Sequence, residues 1–137
     1  MTYADCITDA LRLIHVLGHF ESADADQGAL GVSALNDMMA AWEADGILVG
    51  YVQSTVPTDD LNLHATAREA VKYNLALKLC PFYEREPSAV VVAGARSGYD
   101  SLLLAAVINA QEESDMRHVP RGTARSGLYN AVTGLIR

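Results

Sequence analysis

Two histidines near the start of the sequence, His15 and His19, have a spacing that could bind a metal ion. Residues four apart lie on one face of a helix, and paired histidines there are common zinc ligands. Here Gly18 lies between them and favours a helix end, and no Glu follows His15 to give the H-E-x-x-H pattern. The sequence therefore predicts no metal site and no cofactor.

Acidic residues occur in pairs that could serve as the two carboxylates of a glycosidase. Glu43 and Asp45 are two residues apart, and so are Glu84 and Glu86. This spacing suits a solvated acidic surface equally well, and no G-x-S-x-G nucleophile motif accompanies it. A non-enzymatic protein is the favoured interpretation, with a small hydrolase left open as an alternative.

The segment Val90–Gly98 (VVVAGARSG) superficially matches a strand that leads into a phosphate-binding loop. A dinucleotide site needs G-x-G-x-x-G within a βαβ unit, whereas Gly94 and Gly98 give G-x-x-x-G with no Walker lysine after it. We therefore expect the two glycines to form a groove in which another helix approaches closely.

Charge is distributed unevenly along the 137 residues, whose net charge is −7. Residues 1–115 contain six Lys/Arg against seventeen Asp/Glu, whereas residues 116–137 contain four Arg and no acid. An acidic body disfavours sequence-specific nucleic-acid binding, and a basic segment suits docking on an acidic protein surface. The sequence thus predicts a body over 1–115 and a basic arm over 116–137, in which Arg117, Arg121 and Arg125 recur every four residues.

The elements that position these groups are organised around one stretch, Leu35–Tyr51 (LNDMMAAWEADGILVGY). Its apolar residues recur at steps of three and four, which predicts a helix that buries the single tryptophan. A glycine then stops the helix in the left-handed conformation, and a short extended hook follows. The structural core residues expected in this stretch are Leu35, Met39, Trp42, Gly46 and Tyr51.

Apolar periodicity and capping residues predict four helices and an all-α fold. The fold is a compact four-helix body with the short extended hook after helix 2 and an extended C-terminal arm. The longest apolar run, Leu102–Ile108, is too short to cross a bilayer, so no membrane span is expected. The expected helices run from Thr2 (capped with Asp5) to Gly18, from about Gln27 to Asp45, from Thr58 or Asn62 to Leu79, and from Pro87 to about Glu112.

The run MMAAWEADGILVGY within Leu35–Tyr51 resembles the core signature of the head-to-tail adaptor family of short-tailed bacteriophages. These proteins are also called tail accessory factors, head-completion or packaged-DNA stabilisation proteins. The resemblance continues, in pattern and order, through Tyr73–Pro81, Tyr83, the helix near Pro87 and the arm after Met116. It therefore covers most of the chain.

This resemblance implies a structural protein of the virion at the head–tail junction, assembled in the host cytoplasm. Copies would form a dodecameric ring below the portal protein, extend the DNA channel, help retain packaged DNA and provide the attachment platform for a distal tail (nozzle or tube) protein. DNA would pass without sequence-specific binding. The arm would contact portal or a neighbouring copy through Arg117, Arg121, Arg125 and Tyr129. The alternatives are a small virion-associated cell-wall hydrolase and a non-viral α-helical interaction module.

Overall fold

A computed structural model describes residues 1–117, and in that range the regular structure is helical, as predicted. An isolated bridge between Thr2 and Asp60 is the one β-type pairing among these residues. The chain divides into two compact units, Met1–Ala106 and Val107–Arg137. The helices are α1 (Tyr3–Leu13), α2 (Ala25–Ala44), α3 (Ala65–Leu79) and α4 (Ala89–Arg117), with a short 3-10 turn at Cys80–Tyr83.

Two helices begin with reciprocal capping boxes, in which side chains satisfy backbone N–H groups that have no partner inside the helix. At α1, Asp5 N–H donates to Thr2 Oγ1 at 3.1 Å, and Thr2 N–H donates to Asp5 Oδ2 at 2.9 Å. At α2, Asp24 and Gln27 form the same pair. The predicted start of the first helix is therefore confirmed.

The first helix ends five residues before the predicted stop at Gly18. It ends at Leu13, and His15 has φ 60°, a left-handed conformation that breaks the helical path. The N–H groups of Val16 and Leu17 both return to the carbonyl of Leu11 and close the helix end. Apolar residues continue past this point, which is why periodicity alone extends the helix too far.

The prediction that the third helix starts at Thr58 or Asn62 is wrong, because α3 begins only at Ala65. The preceding segment instead pairs with the N-terminus. Tyr3 N–H donates to the Asp59 carbonyl at 3.1 Å, and Ala4 N–H donates to the Pro57 carbonyl at 2.8 Å. These carbonyls satisfy first-turn donors of α1, so tertiary pairing outweighs the local helix-start signal at Thr58.

Helices α1, α2 and α3 each pack against the other two and enclose the core. Gly31 of α2 allows this packing, because a Cβ there would lie 2.5 Å from Ile7 Cγ2. Such a distance is far below van der Waals contact, so the two helices meet where α2 has no side chain. The largest fully buried side chains are Tyr3, Ile7, Leu11, Leu35, Met38, Leu75 and Leu79.

The fourth helix was predicted over Pro87–Glu112 and is found over Ala89–Arg117. Pro87 is therefore not its first residue, and Ser88 Oγ accepts the N–H of Val91 at 3.3 Å instead. At the other end, the predicted boundary between body and arm falls inside this helix, since residues 116 and 117 are helical. The rest of the predicted arm lies outside the described residues.

Candidate interaction surface

The central stretch forms a rigid corner at the end of α2. Gly46 has φ 88°, and Ile47 N–H donates to the Trp42 carbonyl at 2.9 Å, so the chain turns immediately after the helix. Of the three hook residues, Ile47 and Val49 are buried, whereas Leu48 is exposed. Along the preceding helix, Leu35, Met39 and Trp42 all face the core.

Tyrosines fix the far end of the hook. The hydroxyl of Tyr51 donates to Asn36 Oδ1 of α2, and the hydroxyl of Tyr3 donates to the Val52 carbonyl. The two tyrosine rings lie 6.0 Å apart at a tilt of 60°. Burial raises the pKa of Tyr51, so its phenol stays protonated and remains a donor. The hook is therefore held at both ends without belonging to a sheet.

The corner also positions α4, through Tyr99. The rings of Trp42 and Tyr99 meet edge to face at 5.5 Å, and Tyr99 donates its hydroxyl to Asp45 Oδ2 at 2.6 Å. This hydrogen bond raises the pKa of Tyr99, because ionisation of the phenol would place two negative oxygens together. The sequence does not indicate this contact, since nothing local links residues 45 and 99.

Helix α4 lies very close to α3 at its two glycines. A Cβ at Gly94 would lie 2.9 Å from the Tyr73 ring, and a Cβ at Gly98 would lie 2.6 Å from Ala70 Cβ. The amide of Asn74 donates to the carbonyls of Ala70 and Ala95, at 2.8 and 2.9 Å. The predicted close helix approach at these glycines is confirmed. The sequence does not predict the hydrogen bond from Asn74 to α4. The signal for it is a polar residue on the apolar face of the third helix, since a buried amide needs a partner.

Next to these glycines, another side of α4 is an exposed, largely apolar stripe. We call it the α4 outer face and define it as Val90, Ala93, Ser97, Ser101 and Leu104. Val90 is 71% exposed and Leu104 is 62% exposed. Residues at this spacing line one side of a helix. An uncovered apolar stripe of this kind is typical of a contact surface.

A groove of about 640 Å³ runs between α3 and α4, and it includes every residue of this face except Leu104. Small residues of α4 and Ala70 and Tyr73 of α3 line most of it, and Glu69 is its one ionisable carboxylate or amine. A groove with so few charges suits packing against protein rather than binding of a small charged ligand.

Helix α4 is apolar over a longer stretch than its longest uninterrupted apolar run, Leu102–Ile108. By length and mean hydropathy, Ala89–Arg117 is apolar enough to cross a bilayer, although only 11% of that window is buried within the protein. One such helix is weak evidence for a span, and Arg96 and Asp100 within it would each be costly at a bilayer centre. The absence of a membrane span stays a prediction.

The histidines considered for metal chemistry lie near one end of this face, since His15 and His19 border a cavity of about 360 Å³ that also includes Val90. Among residues 1–117 no group of three or more His, Cys, Asp or Glu could hold a metal ion. His15 and His19 both follow the end of α1, so they do not share a helix face. Cys6 and Cys80 are buried free thiols, and burial, reinforced by Asp9, raises the pKa of Cys6 to about 12.

The predicted partner-binding residues are only partly covered by the described structure. Arg117 ends α4, where its guanidinium pairs with Glu113 at 2.8 Å rather than belonging to an extended segment. Arg121, Arg125 and Tyr129 lie outside the described residues. Their role in binding portal or a neighbouring copy therefore stays a prediction.

The helical body, the exposed α4 outer face and the corner all fall within a region that matches a known protein family. Residues 1–133 match the family described as P22 tail accessory factor. The match covers nearly all of the 137 residues, so it includes every element described above. The chain therefore belongs to the P22 tail accessory factor family, and it is a structural component of a bacteriophage virion that acts through contacts with other virion proteins.

Proposed function

We propose that this protein is the head-to-tail adaptor of a short-tailed phage, and the observation that carries the proposal is the family match over residues 1–133. Copies assemble as a dodecameric ring below the portal vertex, after packaging, and extend the DNA channel. The ring helps to retain the genome and provides the platform for the distal tail protein. The protein acts at the head–tail junction after assembly in the host cytoplasm.

The acidity of the body supports a role as a channel wall. Helix α2 contains no lysine or arginine over its 20 residues, and its exposed positions are small or acidic. Asp26, Asp37 and Glu43 are exposed there, and the remaining exposed positions of the helix are alanines and one serine. A smooth surface of like charge lets DNA pass without binding, since it offers no cation to the phosphates. We assign this surface of α2 to the lumen.

The charge asymmetry supports a docking role for the arm. Residues 118–137 contain three Arg and no acid, and arginine forms bidentate pairs with carboxylates. Isolated copies repel one another because their bodies are acidic, so we expect the free protein to be monomeric or weakly associated. On portal, repeated sites hold neighbouring copies at high effective concentration, and ring formation becomes favourable.

The test is co-sedimentation with the cognate portal for the full-length chain and for a truncation after Arg117, which leaves α4 intact. We expect the truncation to keep its helical circular dichroism spectrum and to lose most portal binding. Added salt should weaken the full-length interaction in part, because arginine pairs at an interface rim are screened and buried apolar contacts are not.

A charge-reversed full-length chain, R121E/R125E, serves as the matched variant, since it keeps the length of the arm. It should bind portal less tightly than the parent at low salt. If the folded truncation binds portal as well as the full-length protein does, the arm is not the docking element and the helical body must carry the interface.

A further inference from the structure

The α4 outer face is an apolar, weakly charged surface on a body with a large negative charge. Residues 1–115 carry seventeen acidic against six basic side chains, so most faces of two copies repel each other. The outer face itself contains no ionisable residue, and its largest side chains, Val90 and Leu104, are mostly exposed. Glu69 of α3 borders it in the groove, and His15 and His19 lie near Val90. The face itself therefore adds no charge repulsion against a second copy of this chain.

The spacing of residues along this face is symmetric about Ser97, so the face can pack against an antiparallel copy of itself. Ser97 lies seven residues from both Val90 and Leu104, and four residues from both Ala93 and Ser101. An antiparallel copy of the helix would thus place Leu104 beside Val90 and Ala93 of the other chain. Small side chains would meet at the centre, where they let two helix axes approach closely.

Two residues of opposite charge, Arg96 and Asp100, lie at the edge of the face. Their midpoint is only one residue from Ser97. Arg96 and Asp100 are both exposed and flank an open depression of about 480 Å³ that includes Ala93, Ser97 and Leu104. Within residues 1–117 neither takes part in an ion pair, although four-residue spacing would allow one between them. In the antiparallel arrangement Arg96 of each copy lies opposite Asp100 of the other.

We infer that the free protein forms a weak two-fold dimer in which the α4 outer faces of two copies pack antiparallel around Ser97. The same two-fold arrangement brings Leu104 of each copy against Val90 of the other and forms two Arg96–Asp100 pairs. One helix face buries less than about 1,200 Å² in total, which belongs to the class of transient interfaces. The dimer therefore exchanges readily.

A two-fold contact closes on itself and cannot continue around a ring. The dimer is thus a form of the unassembled protein, separate from any ring, and its detection requires no portal. This inference goes beyond the proposed adaptor function and does not depend on it. The dimer is measured with the protein alone, and the adaptor function is measured with portal present. A negative result for one therefore does not contradict the other.

The test is sedimentation equilibrium of the full-length protein, without portal, at concentrations up to about 1 mM, which covers weak specific association. We expect a reversible monomer–dimer equilibrium. R96D and D100R should each lower the association constant roughly tenfold, because each replaces two attractive pairs by two repulsive ones at exposed sites. The double variant R96D/D100R should restore association. R85D, the same charge change on an exposed arginine before α4, should weaken it less than R96D does.

A Ser97→Cys variant tests the centre of the dimer directly. Because Cys6 and Cys80 are buried, mild oxidation should give a disulfide-linked dimer through position 97, and faster than in a Ser33→Cys control on the exposed side of α2. The inference is overturned by a protein that stays monomeric to about 1 mM, by charge reversals that leave association unchanged, or by a double variant that is not restored. Reduced portal binding by R96D without any self-association would show that portal, not a second copy, occupies this face.

Discussion

Replacing Gly98 by alanine should push α4 away from α3. The new Cβ would lie 2.6 Å from Ala70 Cβ and 2.9 Å from Ala70 Cα. Carbon atoms in contact are normally about 3.5–4.0 Å apart, so the helices must separate by roughly 1 Å. Neither atom of Ala70 can move by side-chain rotation. The strain therefore has to be relieved by displacement of the backbone.

The expected loss of unfolding free energy follows from three contributions. Overpacking a close contact costs about 1–3 kcal/mol, and alanine in place of glycine returns about 1 kcal/mol of helix propensity. Separation of the helices also stretches the hydrogen bond from Asn74 to the Ala95 carbonyl. Loss of this bond costs about a further 1 kcal/mol. The net expectation for Gly98→Ala is a destabilisation of about 1–3 kcal/mol.

Urea unfolding followed by circular dichroism measures this difference, with two variants for comparison. A Cβ at Gly28 of α2 would have Pro57 Cγ as its nearest neighbour at 3.9 Å, an ordinary contact. Gly28→Ala should therefore stabilise the protein by about 0.5–1 kcal/mol. The double variant A70G/G98A returns the missing space and should lose less than the sum of the single changes. If Gly98→Ala stabilises the protein as Gly28→Ala does, the close packing of α3 on α4 is wrong.

Three further outcomes are expected. Trp42→Ala should lower the free energy of unfolding by about 3–5 kcal/mol in urea melts, since it empties a core aromatic site and removes the contact with Tyr99; a loss below about 1 kcal/mol contradicts a central role for this corner. Gly46→Val should shift the unfolding midpoint well beyond the few tenths of a kcal/mol typical of surface sites, because φ 88° strains a β-branched residue, and an unchanged midpoint would show that the helix stop does not need glycine. Cys6, whose pKa is raised to about 12, should react with a thiol reagent at pH 8 only on unfolding; rapid labelling of the folded protein would refute its burial.

The helical framework was predictable wherever a local signal agreed with the tertiary packing. The capping pair of Thr2 and Asp5 marks the start of α1, and the apolar steps to Trp42 followed by Gly46 mark the end of α2. The two glycines of α4 likewise indicated close helix packing, which α3 provides. In each case the residues that form the signal are within one or two helical turns of each other.

The features that the sequence did not predict depend on distant partners. Thr58 is a good helix start in isolation, but the carbonyls nearby accept N–H groups from the first turn of α1. The bond between Tyr99 and Asp45 and the bridge from Asn74 to Ala95 join residues far apart in sequence. Apolar periodicity also could not separate the packed side of α4 from its exposed outer face, since both sides are apolar.

The proposed function requires copies of this protein to form a ring on the portal. Electron microscopy of the purified portal, with and without an excess of this protein, tests it most directly. We expect added density on one end of the portal, as a dodecameric ring coaxial with an open channel. Portal particles with no added density, or with copies bound away from the channel axis, would contradict it.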